Sequence, residues 1–240
     1  KQIDNAVADP GWGAKTDEIQ KLIVSNNGSG LDQATFSSTA LMYLMAQINM
    51  KIPELKTLCL ESRPEYVDLA ELEFLHRALN EGDSPTDLEI AVGFEAFDDD
   101  IRNKVFKKGL ELDVFRRFVQ DMSPYGFRVK AYFMQKPTPG LSDEDAVRDI
   151  ERAVDYLGEL SSRTGVKINM HLNPTYAARG TDLAESFLRG EYTPPYLQDV
   201  ARAVLRAENQ PISVFLGLYD EGLAVEGGSF VREGDQEIIR

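Results

Sequence analysis

The sequence predicts an α/β fold: a partial, open TIM-like barrel of parallel strands alternating with helices. Two observations carry this. Apolar, β-branched runs recur about every 30 to 45 residues, near 20–25, 55–61, 88–95, 127–134, 166–172 and 212–218, with helical periodicity between most of them. Strand–helix alternation of this length gives right-handed crossovers and a parallel sheet. In addition, four successive strands each have one large apolar face and one small or polar face.

The elements follow in order. The run 20–25 holds Leu22, Ile23 and Val24 and leads into Ser25-Asn26-Asn27-Gly28-Ser29, then a helix over Ser37–Met50. The second run sets Leu58 and Leu60 on one face against Thr57, Cys59 and Glu61. It stops at Glu61-Ser62-Arg63-Pro64, because Pro64 lacks an N–H and biases Arg63 away from helix. A helix over Leu69–Asn80 precedes the third strand, where Leu88, Ile90, Val92 and Phe94 oppose Glu89, Ala91, Gly93 and Glu95. Asp98, Asp99 and Asp100 put acids into a first turn, which the helix dipole favours. After a helix over Val114–Met122, Phe127, Val129, Ala131 and Phe133 oppose Arg128, Lys130 and Tyr132. The helix Asp143–Ser162 starts behind Ser142 with another acidic turn. In the fifth strand Val166, Ile168, Met170 and Leu172 oppose Lys167, Asn169, His171 and Asn173. A helix over Pro195–Ala207, the run 212–218 and a looser, Gly-rich acidic tail from about Tyr219 complete one expected domain, 1–240.

A doubly wound sheet buries both faces of its strands, and a closed barrel fills its interior with branched apolar side chains. Neither matches a polar face repeated on four strands. An open barrel around a wet, ligand-holding cavity does, with polar groups towards the strands' carboxyl ends. A one-sided sheet with a solvated concave face is the other reading. The chain has 240 residues, 42% hydrophobic and 28% charged, and a net charge of −14. That charge argues against broad, non-specific nucleic-acid binding. One cysteine, Cys59, rules out an internal disulfide and any cysteine-rich metal cluster held by this chain alone. With no apolar run long enough for a bilayer, the expectation is a cytoplasmic protein without a membrane partner. The opening Lys1-Gln2-Ile3 reads as the interior of a longer protein.

Glu61-Ser62-Arg63-Pro64-Glu65-Tyr66 resembles the E-[ST]-R-P-[DE] segment of radical S-adenosylmethionine enzymes, in the branch of the Elongator catalytic subunit and the archaeosine-biosynthesis enzymes. Further motifs are similar to that family in its order. They are Ser25 to Asp32; Val92-Gly93-Phe94-Glu95 with Asp99 and Lys107-Lys108-Gly109; Val129-Lys130-Ala131-Tyr132 with Lys136-Pro137; Leu172 to Thr175; and Gly190 to Pro195. The resemblance spans about Gln2 to Leu218.

The resemblance implies an enzyme whose [4Fe-4S] cluster reduces S-adenosylmethionine to a 5′-deoxyadenosyl radical, which abstracts hydrogen from a substrate. It implies that Asn26, Asn27, Gly28 and Ser29 meet the methionine amino group, and that Glu61 and Arg63 hold the same cofactor's polar groups. Glu95, Lys130 and Asn173 would line the deeper cavity. Alternatives stand beside these: an ordinary turn at Asn26–Ser29, and a structural Glu95–Lys130 ion pair. The departure is that the family's C-x-x-x-C-x-x-C is absent, so this chain cannot bind the cluster and is expected to be inactive alone. The substrate implied is a tRNA base or another bulky molecule, against which the acidic balance speaks. A non-catalytic binding or scaffold protein that kept the barrel is the alternative. The edge at Leu22–Val24 suggests self-association. His171 is a candidate proton donor or metal ligand, though two histidines in the chain make a histidine-rich site improbable. Cys59, Trp12 and Gly227-Gly228 read as a small interior residue, a surface aromatic and a turn.

Overall fold

The structure is a computed structural model that describes residues 1–8, 16–25, 28–82, 84–235 and 237. A short helix α1 (Gln2–Val7) is followed by strand β1 (Lys21–Val24), α2 (Ser38–Lys51), β2 (Thr57–Ser62) and α3 (Leu69–Leu79). Next come β3 (Asp87–Glu95), a π-helical turn (Asp100–Val105), α4 (Leu112–Met122), β4 (Arg128–Gln135) and α5 (Asp143–Thr164). β5 (Ile168–Pro174), α6 (Asp182–Leu188), α7 (Leu197–Leu205) and β6 (Ile212–Leu216) complete the order. The strands form one sheet in the order β1-β2-β3-β4-β5-β6, the α/β partial TIM-like barrel that the alternation predicts. Two elements were not legible in the periodicity, α1 and α6, both under eight residues. The Asp98–Asp100 acids open a π turn instead of a regular helix.

By its contacts the chain divides into two compact units. The first is Lys1–Val92 with Arg117–Lys130, and the second is Gly93–Arg116 with Ala131–Arg240. In the first, β1 pairs with β2 and β2 with β3, all parallel, with Cys59 beside Glu89. Its core is the helix-facing side of the strands, Leu58, Leu60, Leu88 and Ile90, packed with Leu41, Met45, Leu72 and Leu75. Local chemistry starts both helices. Ser37 accepts the Ala40 N–H at the head of α2, and Asp68 accepts those of Ala70 and Glu71 at the head of α3. Along β1 lies an apolar cleft of about 520 Å³, lined by Ile3, Leu22, Val24, Phe36, Leu44 and Ile48 among others. Ile23 is 43% exposed there, on an edge that pairs with no other strand among the described residues.

In the second unit, α5 lays Ala146, Ile150, Ala153, Val154 and Leu157 against Met170 and Leu172 of β5, all buried. Phe94 stacks on Phe133 at 4.7 Å between centroids and meets Phe115 edge-on at 5.0 Å. Over this cluster lies Arg102, a fully buried guanidinium 5.1 Å from the Phe94 centroid. It donates to the carbonyls of Leu110 (2.7 Å), Ala96 (3.2 Å) and Phe97 (2.7 Å), and to Asp99 (2.6 Å). One side chain thus ties both ends of the 96–110 segment together. The chain after Tyr219 is pinned as well: Val225 donates to the Ala177 carbonyl, Ala177 to that of Gly228, and Phe230 is fully buried.

Removing the Arg102 guanidinium would take a donor from three carbonyls, of which that of Leu110 keeps a longer bond from Asn103 at 3.3 Å. Arg102→Met should therefore cost on the order of 3–5 kcal/mol in urea unfolding. A loss below about 1 kcal/mol would show that the segment is held by other contacts.

Candidate functional site

In the first unit the inner face of the sheet is filled. Glu89 is fully buried and receives a hydrogen bond from Lys21; its other oxygen lies 3.8 Å from Arg128 Nε, too far for a hydrogen bond. Arg128 also reaches Asp87 at 3.1 Å. Lys130, 4% exposed, stands among Lys21, Cys59 and Glu89, and its ammonium is pushed below the usual lysine value by burial and then by the Lys21 charge. Expected to line the deeper cavity, Lys130 is instead buried as the third residue of β4. The Cys59 thiol, fully buried, is pushed up to about 12 by burial and by the Glu89 charge.

At the carboxyl end of β2, Ser62 and the buried Ser29 share a hydrogen bond of 2.6 Å, and the Gly30 N–H donates to the Glu61 carbonyl at 2.8 Å. A Cβ on Gly30 would stand 2.9 Å from that oxygen, so the loop approaches the strand end only with glycine there. Ser29 is thereby locked beside Glu61, which is half-buried, and Gly28 is exposed. Arg63 is about half-exposed and pairs with Glu65 at 2.5 Å. This pairing resolves part of the charge pattern at the strand tip. Asn26 and Asn27 lie outside the described residues, as does Trp12.

In the second unit the inner face carries polar and aromatic groups that are half-buried. Glu95 ends β3 with φ +71, a conformation that non-glycine residues rarely hold. Its carboxylate pairs with Lys108 at 2.7 Å above Gly93, where a Cβ would lie 2.6 Å from the carboxylate and 2.7 Å from the ammonium. In place of the alternative Glu95–Lys130 ion pair, Glu95 pairs with Lys108, presented by the segment that Arg102 binds. On the same face, the His171 ring lies 4.8 Å from Tyr132 and 4.7 Å from Phe215. Asn173 and His171 both reach over Gly217, with Asn173 Oδ1 2.1 Å from where a Cβ would be. Glu95, Tyr132, His171 and Asn173 are all half-buried.

The motifs Lys136-Pro137 and Gly190–Pro195 meet in this unit. Lys136, 6% exposed and at φ +55, donates to Asp143 (2.6 Å) and Thr193 (2.9 Å), while the Tyr192 hydroxyl donates to the Lys136 carbonyl at 2.9 Å. This is a clasp that fixes the exit of β4. Lys108, Glu89, Lys21 and Phe215 had no assigned role. For Phe215 a signal existed, because Ser213 and Phe215 alternate with Ile212, Val214 and Leu216. Among the described residues, no group of three or more His, Cys, Asp or Glu could hold a metal ion, and no helix is long and apolar enough to cross a membrane.

No family model matches the chain. An uncharacterised protein of Methanocaldococcus jannaschii is 23% identical over 206 residues, covering 86% of this chain and 53% of that protein. The chain spans about half the length of the curated relative it matches. Among solved structures, it is similar to an N-terminally deleted Elp3 of the archaeon Methanocaldococcus infernus, with a TM-score of 0.56 and 17% identity, covering 81% of this chain and 46% of that one. This likeness shows the shared fold. A pyruvate-formate lyase-activating enzyme domain of Bacteroides vulgatus gives a TM-score of 0.48 at 8% identity, covering 82% of this chain and 98% of that one. That is too distant to carry an argument.

The buried thiol gives a direct check. The folded chain should not react with a thiol reagent such as dithionitrobenzoate at pH 8, and should react fully in denaturant. The proton that the folded thiol keeps is released by the unfolded one between pH 9 and about 12, so stability contributed by Cys59 falls as pH rises through that window. Rapid labelling of the folded chain would refute the burial.

Proposed function

We propose that the chain forms the ligand-holding barrel of a radical S-adenosylmethionine iron–sulfur enzyme, whose cluster is held by cysteines outside this sequence. The observation that carries the reading is that the inner face of the second unit holds the motif residues Glu95 and Asn173 half-buried, where a ligand can reach them. The ordered motifs and the fold likeness support it.

The residues present do not fit the cluster. Cys59 is the sole cysteine, buried and held as a thiol, whereas cluster iron binds thiolate. No step of this chain's own therefore runs through it. S-Adenosylmethionine suits the donor set better. In the second unit, the Glu95 carboxylate would accept from ribose hydroxyls or the amino group, and the Asn173 amide would donate and accept at a second polar edge. When bound beside a reduced cluster, that cofactor supplies a radical for hydrogen abstraction; the chain's part is to orient it and exclude quenching. The acidic balance, −14, disfavours a polynucleotide substrate. The single buried cysteine also favours a second reading, a binding barrel with no chemistry of its own.

Calorimetry with S-adenosylhomocysteine tests the reading. The chain should bind it, and Glu95→Gln and Asn173→Ala should each weaken binding by roughly tenfold, the scale of a hydrogen bond to a charged or buried group. Reconstitution with iron and sulfide should yield no stoichiometric [4Fe-4S] spectrum from these 240 residues. Absence of binding, or a stable cluster on the chain, would sink it.

The apolar cleft along β1 belongs to the same proposal as a contact for a second copy. Sedimentation at several concentrations should show a dimer that Ile23→Lys dissociates, because a charge on an exposed edge opposes pairing. A monomer at all concentrations would remove the contact.

A further inference from the structure

Three rings stand side by side on the inner face of the second unit, one from each of three successive strands. Tyr132 of β4 lies 4.8 Å from His171 of β5 with the rings tilted by 45°, and His171 lies 4.7 Å from Phe215 of β6 with a tilt of 60°. The row grows more open towards the sheet edge, where Phe215 is 55% exposed although its neighbours Val214 and Leu216 are half-buried. An exposed phenylalanine on a polar inner face costs solvation and adds nothing to the core, which lies on the opposite face with Met170 and Leu172. Polar edges flank the row. Asn173 lies over Gly217, directly past the end of β6, and Asn169 donates to the Ser213 hydroxyl at 2.9 Å. Aromatic faces with amide edges beside them hold flat heterocycles, by stacking on the ring and by hydrogen bonds at its rim.

We infer that the exposed Phe215 ring, backed by His171 and Tyr132 and with Asn173 at its rim, is a stacking platform for a small uncharged heteroaromatic molecule such as a free nucleoside. The inference rests on the ligand-holding reading of this face, and names the substrate class for it. Charge decides between a nucleoside and a nucleic-acid strand. The chain leaving β6 turns at once through Asp220, Glu221 and Gly222, with the Asp220 carboxylate accepting the Gly222 N–H at 3.1 Å. Acids at that exit repel a phosphate backbone and leave an uncharged ring undisturbed.

The experiment measures binding of uridine, cytidine and guanosine to the chain by calorimetry. Adenosine is left out because S-adenosylhomocysteine contains it. At least one nucleoside should bind, and Phe215→Ala should weaken it roughly five- to 150-fold, the range for loss of one base–aromatic stack. Phe215→Trp should retain binding. Since Phe215 is exposed, both variants should keep the melting temperature and circular dichroism of the parent. S-Adenosylhomocysteine affinity should be unchanged by Phe215→Ala. The proposal is overturned if no nucleoside binds, if Phe215→Ala changes affinity less than twofold, or if a 12-nucleotide single strand binds more tightly than its nucleoside. It is also overturned if Phe215→Ala weakens S-adenosylhomocysteine and nucleoside alike, which would give the row to the cofactor. Phe215-dependent nucleoside binding without any S-adenosylhomocysteine binding would support the platform and refute the cofactor reading alone.

Discussion

A parallel strand has two faces, and crossover helices on one side of the sheet can cover only one of them. Everything chemical in this chain follows from what becomes of the other. In the first unit it carries charge: Glu89 and Lys130 are buried where a closed barrel has branched apolar residues, and Lys21 and Arg128 reach in from more exposed positions. That is costly, because each buried ion must find a partner. The Lys130 ammonium, destabilised by burial and by Lys21, records the cost. In the second unit the face carries half-buried carboxylate, amide and aromatic groups.

The alternation that governs this division is written in the sequence at period 2, which is why the strands, their order and their polar faces could be read without coordinates. What could not be read is which polar groups along each strand are buried. Glu89 and Glu95 look alike in the sequence, two acids on one face of β3, yet one is sealed and the other half-open. The difference depends on which cations arrive from elsewhere, Lys21 from 68 residues away for Glu89 and Lys108 for Glu95. Arg102 was hidden for a similar reason. In an acidic, helix-like stretch an arginine three residues from an aspartate reads as a surface pair, and only the fold turns it inward onto Phe94.

Long cations set the geometry of the second unit's mouth. Arg102 gathers the segment after β3 by its carbonyls, and Lys136 gathers the exit of β4 by Asp143 and Thr193. The planar fork of Arg102 holds carbonyls that neither strand nor helix pairing would satisfy, whereas the Lys136 ammonium joins two side chains across the exit.

Glu95 shows what this support is for. A side chain held at positive φ carries strain of about 1–3 kcal/mol that glycine would relieve. The position therefore separates two kinds of fitness. A library sorted only for resistance to heat or protease would drift towards glycine at 95, and one sorted for whatever this face binds would return to glutamate. A residue on which the two sorts disagree marks where the fold has given up stability in exchange for use.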